Sequence, residues 1–193
     1  VQQAQQAQQE KLGKKEKRAK ATRESVMELL NVDTIEIEVG YRLVQLLNVE
    51  MGGDLLERIA QIRRQTALDL GIVLPSIRVR DNLQLSPNSY QIKLKGVALE
   101  SGEVYPERYL AMCAGDPVGN LAINGIHAIE PAFGLPALWI EPKDKDMAEM
   151  TGYTVVSASA VISTHITEVI KKCASEIISR FDVQQLIDNL KKE

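Results

Sequence analysis

Between Thr34 and Gly40 the chain reads TIEIEVG: Ile35, Ile37 and Val39 alternate with charged residues. That period of two predicts a half-buried strand. From Leu55 the period changes. Leu55, Ile59, Ile62, Thr66 and Leu70 recur at spacings of three and four and predict a helix with one mostly apolar face. Asp54 and Glu57 form a capping-box-like pair at its start, and Gly71 supplies a C′ stop. SIRVRD (76–81) alternates again and predicts a second strand. SYQIKLKGVAL (89–99) predicts one long strand, with Tyr90, Ile92 and Leu94 on one face and Gln91, Lys93 and Lys95 on the other. ESGE (100–103) then predicts the turn that follows it.

RYLAMCAG (108–115) predicts a further strand, and the Gly-, Asn- and Pro-rich stretch after it predicts loops with short strand pieces. PALWIE (136–141) and YTVV (153–156) predict short strands on either side of a short polar helix, DKDMAEM (144–150), closed by Gly152. The longest helical pattern runs from Ser159 to about Ser179, capped by Ser157 or Ser159. Ile162, Ile166, Val169, Ile170, Cys173 and Ile177 make its apolar stripe; at 100° per residue Thr164 and Lys171 fall on the opposite side. A last helix, capped by Asp182, carries Leu186 and Leu190 in a stripe that no later residue covers, and it is expected to open a further domain.

These elements predict a mixed α/β (α+β) fold in two small subdomains, the second inserted into the first. The stretch IEPAFGLPALWIEP (129–142) stands out. The chain has two Phe and one Trp in 193 residues, and Phe133 and Trp139 both lie here, among Pro131, Pro136 and Pro142. Such a segment cannot be a helix. It is either a rigid piece of core or a surface built to be touched. On the residues alone Phe133 reads as a core plug, an aromatic being more often buried than displayed.

Charge divides the chain. Residues 1–23 hold seven Lys/Arg and two Glu, a net of +5; the remaining residues hold sixteen Lys/Arg and twenty-four Asp/Glu, a net of −8, together −3. An acidic globular part behind a basic arm argues against nucleic-acid binding, which places its basic stripe on the folded surface. Residues 1–32 are Gln-, Ala-, Lys- and Glu-rich with almost no apolar stripe, as in a solvated, partly helical linker. No run approaches the roughly 20 apolar residues of a membrane span.

Candidate chemistry is sparse. Cys113 and Cys173 lie far apart, and His127 and His165 make no ligand-spaced cluster with them, so no metal site is expected. AGDPVGN (114–120) lacks the Lys-Ser/Thr of a phosphate loop and reads as an ordinary turn. His165 sits beside Thr164, yet adjacent helical residues do not face each other; it reads as a helix-surface or interface residue. The acids Glu141, Asp144, Asp146 and Glu149 lack calcium-loop spacing. Arg63, Arg64, Arg78 and Arg80 read as a solvated face. Nothing supports catalysis or a cofactor.

Three blocks, IRVRDNLQLSPNSYQIKLKGV (77–97), EPAFGLPALWI (130–140) and GYTVVSASAVISTHITEVIKK (152–172), resemble in wording, order and spacing the cytoplasmic region of the FHIPEP family of flagellar type III export-gate proteins. The resemblance covers roughly residues 33–193. It implies a piece of a multi-pass inner-membrane protein whose transmembrane part precedes a linker and four cytoplasmic subdomains. This chain would hold the linker (1–32), the first subdomain (33–107 and 158–177), the inserted second (108–157) and the helical start of a third (178–193).

The family implies a non-catalytic role on the cytoplasmic side of the bacterial inner membrane. Its cytoplasmic parts form a homo-oligomeric ring that docks export chaperones carrying late flagellar substrates, while the linker contacts the stalk of the export ATPase complex. The implied docking site is a hydrophobic dimple between the first two subdomains. Residue by residue, its acid, Phe and Thr rim falls on Glu130, Phe133 and Thr164, with Leu110, Met112, Leu135, Val156 and Val161 along the walls. Some relatives carry the shorter Asp at the position of Glu130. The alternative within the same resemblance is a purely structural ring-forming module, with docking left to other subdomains.

Overall fold

The computed structural model describes residues 33–71, 73–112 and 123–178, together with 183–184 and 187–188. The chain divides into two compact units, 1–33 and 34–193, and every element below lies in the second. The expected linker helix, Cys113, the 114–120 turn, Asp182, Leu186 and Leu190 lie outside the described residues.

The first sheet has the order β2-β1-β3-β4, from β1 (Ile35–Val39), β2 (Ile77–Asp81), β3 (Ser89–Leu94) and β4 (Val97–Glu103). β2 runs parallel to β1, because α1 (Leu55–Leu70) carries the chain back across the sheet between them; the other pairs are antiparallel. Ile35, Ile37 and Val39 are buried, and the intervening glutamates face the other side, where Glu36 pairs with Arg80 at 2.8 Å and Glu38 pairs with Lys93. The arginines of β2 thus belong to a face of mixed charge.

The stretch 89–99 is two strands, not one. Lys95 (φ 50°) and Gly96 (φ 81°) form a tight two-residue reversal, so ESGE lies inside β4 and is not a turn. A hairpin of this kind needs left-handed backbone at both central positions, which Gly adopts without strain. The run of alternating side chains conceals it.

α1 packs Leu55, Ile59, Ile62 and Thr66 inward and ends on Gly71 in the left-handed conformation. The expected capping box does not form: Asp54 makes no side-chain cap and instead accepts from Arg58 Nε at 2.6 Å. α3 (Ala158–Lys172) lies beside it. Ser157 caps α3, its Oγ accepting from the Ala160 amide at 3.3 Å, and Lys171 and Lys172 occupy the last turn, where cations suit the helix dipole. The helix breaks at Cys173, short of the expected end near Ser179. α4 (Ala174–Ile177) nonetheless continues the apolar spacing far enough to bury Ile177.

The second sheet is antiparallel, in the order β6-β7-β5-β8, from β5 (Tyr109–Met112), β6 (Gly125–Ile129), β7 (Pro136–Ile140) and β8 (Thr154–Ser157). Its central strands, β5 and β7, pack on both faces. Leu110, Ala137 and Trp139 join the main core with the first sheet and both long helices, whereas Ala111, Leu138 and Ile140 pack with Ala148 of α2 (Lys145–Met150) and with Tyr153. The architecture is α+β. The first sheet draws on residues 35–103 and the second on 109–157, before α3 returns the chain to the main core.

Candidate functional site

The turn between β6 and β7 is stapled by its own first residue. Glu130 is 2% exposed. Its Oε1 accepts from the Ala132 amide at 3.0 Å and its Oε2 from the Phe133 amide at 2.7 Å. Its own amide donates to Leu135 O at 2.8 Å, and the Gly134 amide donates to Glu130 O at 2.9 Å. A buried carboxylate is tolerable only when such donors replace water, and hydrogen bonds to a charged acceptor are the stronger kind. Gly134 (φ 70°) supplies the one left-handed residue the reversal needs, and Pro131 and Pro136 fix φ at two further positions.

The result is a rigid platform with its aromatic outside. Phe133 is 60% exposed, and Ile129, at the end of β6, is 72% exposed. Trp139, the fourth of the five residues of β7, is buried and meets Tyr105 edge to face at 5.6 Å between ring centroids. The two rare aromatics of this segment thus have opposite fates, one in the core and one on the surface.

The eight candidate positions separate by depth. Phe133 is open to solvent; Leu135, Thr164, Met112 and Val156 are half-buried. Leu110 and Val161 are fully enclosed in the main core, so neither presents its side chain at a surface. Glu130, expected as the acid of a rim, has both oxygens turned onto backbone amides and acts within the turn. Ile129 was not among the candidates, since an apolar residue that closes a strand carries no mark of exposure in the sequence.

His165 corrects another expectation. It lies inside the core, 1% exposed, not on the helix surface. Its Nδ1 lies 2.7 Å from Tyr90 Oη and its Nε2 lies 2.6 Å from Glu100 Oε2, while Lys172 Nζ donates to Glu100 Oε1 at 3.1 Å. Burial pushes the Tyr90 phenol well above its ordinary range, with the charges of Glu130 and Glu100 adding to the effect. The phenol therefore stays protonated, and the direction of its bond with Nδ1 follows the imidazole's tautomer. The chain has relay geometry, but its imidazole lies where no substrate atom reaches it, so it is an interior lock.

Among the described residues, no group of three or more His, Cys, Asp or Glu is placed to hold a metal ion, and no helix is long and apolar enough to cross a membrane.

Comparison with known proteins gives a consistent picture. The FHIPEP family matches residues 1–193. The flagellar biosynthesis protein FlhA of Bacillus subtilis is 53% identical over 169 residues, which cover 88% of this chain and 25% of that protein. FlhA of Helicobacter pylori is 45% identical over 170 residues, 88% of this chain and 23% of that protein. The chain thus spans about a quarter of the length of the curated relatives it matches. Among solved structures, that of the Chlamydia pneumoniae CdsV and CdsO protein complex superposes with a TM-score of 0.70 at 22% identity, covering 84% of this chain and 51% of the matched one.

Proposed function

The chain belongs to the FHIPEP family, and from that premise we propose that it is a non-catalytic docking module of a bacterial flagellar type III protein export gate, receiving export chaperones loaded with late flagellar substrates. The observation that carries this reading is the exposed Phe133 on a turn whose conformation Glu130 fixes. An aromatic displayed on rigid backbone loses little entropy when a partner packs on it, and such residues dominate binding energy at interfaces.

Phe133 and Ile129 make the apolar contact, Leu135, Met112, Val156 and Thr164 border it, and Leu110 and Val161 support it from below. Glu130 is a positioning residue: it sets the direction in which Phe133 points. Residues 108–157 serve as an inserted subdomain and 33–107 with 158–177 as the first. Residues 1–32 serve as the linker to the stalk of the export ATPase complex, and the parent protein is a homo-oligomeric ring on the cytoplasmic side of the inner membrane.

The test is calorimetric titration of this chain with a filament-type export chaperone, once loaded with its substrate and once empty, alongside sedimentation of the chain alone. Docking predicts roughly micromolar binding of the loaded chaperone, about −8 kcal/mol. No heat with either chaperone form, together with concentration-dependent self-association, would replace docking by a ring-forming role.

A further inference from the structure

We infer that the outer edge of β6 takes an extended, uncharged segment of the export partner as a further strand of the second sheet. The identity of that partner rests on the docking reading above; the open edge does not. The two sheets have four edge strands, β2 and β4 in the first and β6 and β8 in the second. Edge strands present unpaired backbone groups, and proteins defend them with charge, bulges or shortness. β2 carries Arg78, Arg80 and Asp81. β4 carries Glu100 and Glu103 and shifts its register opposite Ile92 and Lys93. β8 has only four residues, three of them half-buried. β6 has none of these defences. Its sequence, GIHAI, contains no Asp, Glu, Lys, Arg or Pro, its register with β7 is unbroken, and all of it but Ala128 is exposed.

The register fixes which backbone groups are open. Glu130 N donates to Leu135 O at 2.8 Å, so this pair, next after Ile129↔Pro136, is a hydrogen-bonded one. Bonded and non-bonded pairs alternate along an antiparallel ladder. The bonds of β6 to β7 therefore lie at Ile126 and Ala128, and Gly125, His127 and Ile129 turn their N–H and C=O groups outward. Pro136, which has no N–H to give, stands opposite Ile129 at one of the non-bonded positions. Among the described residues nothing pairs with this outer side. Its regular spacing matches the backbone of an added strand. Ile126 on one face and Ile129 on the other, 37% and 72% exposed, offer apolar contact to β-branched side chains of that strand. Arg42, Arg108 and Glu107 line a cavity with Ile126; Glu103 and Glu141 interact with Tyr105 and Arg108 of that lining. These charges have both signs and select neither an anionic nor a cationic occupant. Ile129 and Phe133 lie at the end of the edge, so a strand added there runs into the docking surface.

The test uses this chain, labelled with ¹⁵N, and the capped peptide acetyl-Thr-Val-Thr-Val-Thr-amide. In the free chain the amides of Ile126 and Ala128 should exchange slowly and those of Gly125, His127 and Ile129 fast. Protection of all five would mean that the chain already covers its own edge, and would overturn the inference. Peptide at roughly millimolar concentration should saturably move and protect the three outward amides. Capped pentaproline, which has no backbone N–H along its length, should not. Absence of saturation, or an equal effect of pentaproline, would also overturn it. His127→Pro removes an outward donor and spares the ladder to β7; it should abolish peptide binding and weaken a substrate-loaded export chaperone at least about tenfold. A chaperone that binds this variant as tightly as the natural sequence would exclude the export partner from the edge. Peptide binding with no chaperone binding to either protein would keep the strand site and remove the docking reading. Should His127→Pro fail to fold, the exchange pattern and the two peptides decide.

Discussion

Two glutamates organise two aromatics in this molecule, and they do so in opposite ways. Glu130 is almost wholly buried and spends both oxygens on backbone amides, and the aromatic beside it, Phe133, is pushed into solvent. Glu100 keeps about a third of its side chain exposed, yet it holds His165, which in turn holds Tyr90, and that aromatic is completely enclosed. The first arrangement fixes backbone and displays a side chain. The second fixes side chains and seals an interior. Rigidity is common to both; only the first displays a side chain in solvent.

The contrast breaks most visibly at Tyr90. Tyr90→Ala removes a large side chain from the core and leaves His165 Nδ1 without its partner; the expected loss is roughly 3–5 kcal/mol, read as a drop in the thermal or urea midpoint. Glu130→Ala strands the amides of Ala132 and Phe133, at roughly 2–3 kcal/mol. Glu130→Asp, shorter by one methylene, should cost less and should slacken the turn, seen as faster hydrogen exchange at those two amides.

Acid sharpens the comparison further. The hydrogen bond from His165 holds the Glu100 carboxyl below its ordinary 4.5; burial opposes the effect and Lys172 supports it. A carboxyl lowered in the folded state contributes stability that is fully present above its ordinary value and lost as pH falls through the folded one. The thermal midpoint should therefore decline on acidification below about pH 4.5 less steeply in Glu100→Gln than in the natural sequence. Identical slopes would mean that the pair stores nothing, since Glu38 and Asp54, also held low, remain in both proteins. The smallest effect on folding belongs to Phe133→Ala, expected within about 0.5 kcal/mol because the ring is mostly in water.

Periodicity reached what depends on neighbours in sequence. The alternation of β1, the stripe of α1 ending on Gly71 and the stripe of α3 are all visible there, because each follows from which side of one element faces the core. It failed where backbone conformation, not side-chain pattern, decides. Lys95–Gly96 reverses the chain inside an unbroken alternation, and α3 stops at Cys173 while its apolar spacing continues to Ile177. It also failed where partners are remote: His165 meets residues 75 and 65 positions away, so a buried lock looked like a surface histidine.

The candidate surface was legible in part. Proline spacing marked 129–142 as rigid, but only the three-dimensional turn shows that Glu130 faces inward while Phe133 and Ile129 face out. Leu110 and Val161, which the resemblance put along the walls of a dimple, lie inside the main core.

The most direct measurement is the affinity of a substrate-loaded export chaperone for the natural sequence and for Phe133→Ala, with urea unfolding of both proteins under the same conditions. The prediction is affinity weakened by at least about tenfold, or 1.4 kcal/mol, at unchanged folding stability. Equal affinities would remove Phe133 from the docking surface; a mutant that loses several kcal/mol of stability would show that the ring belongs to the core.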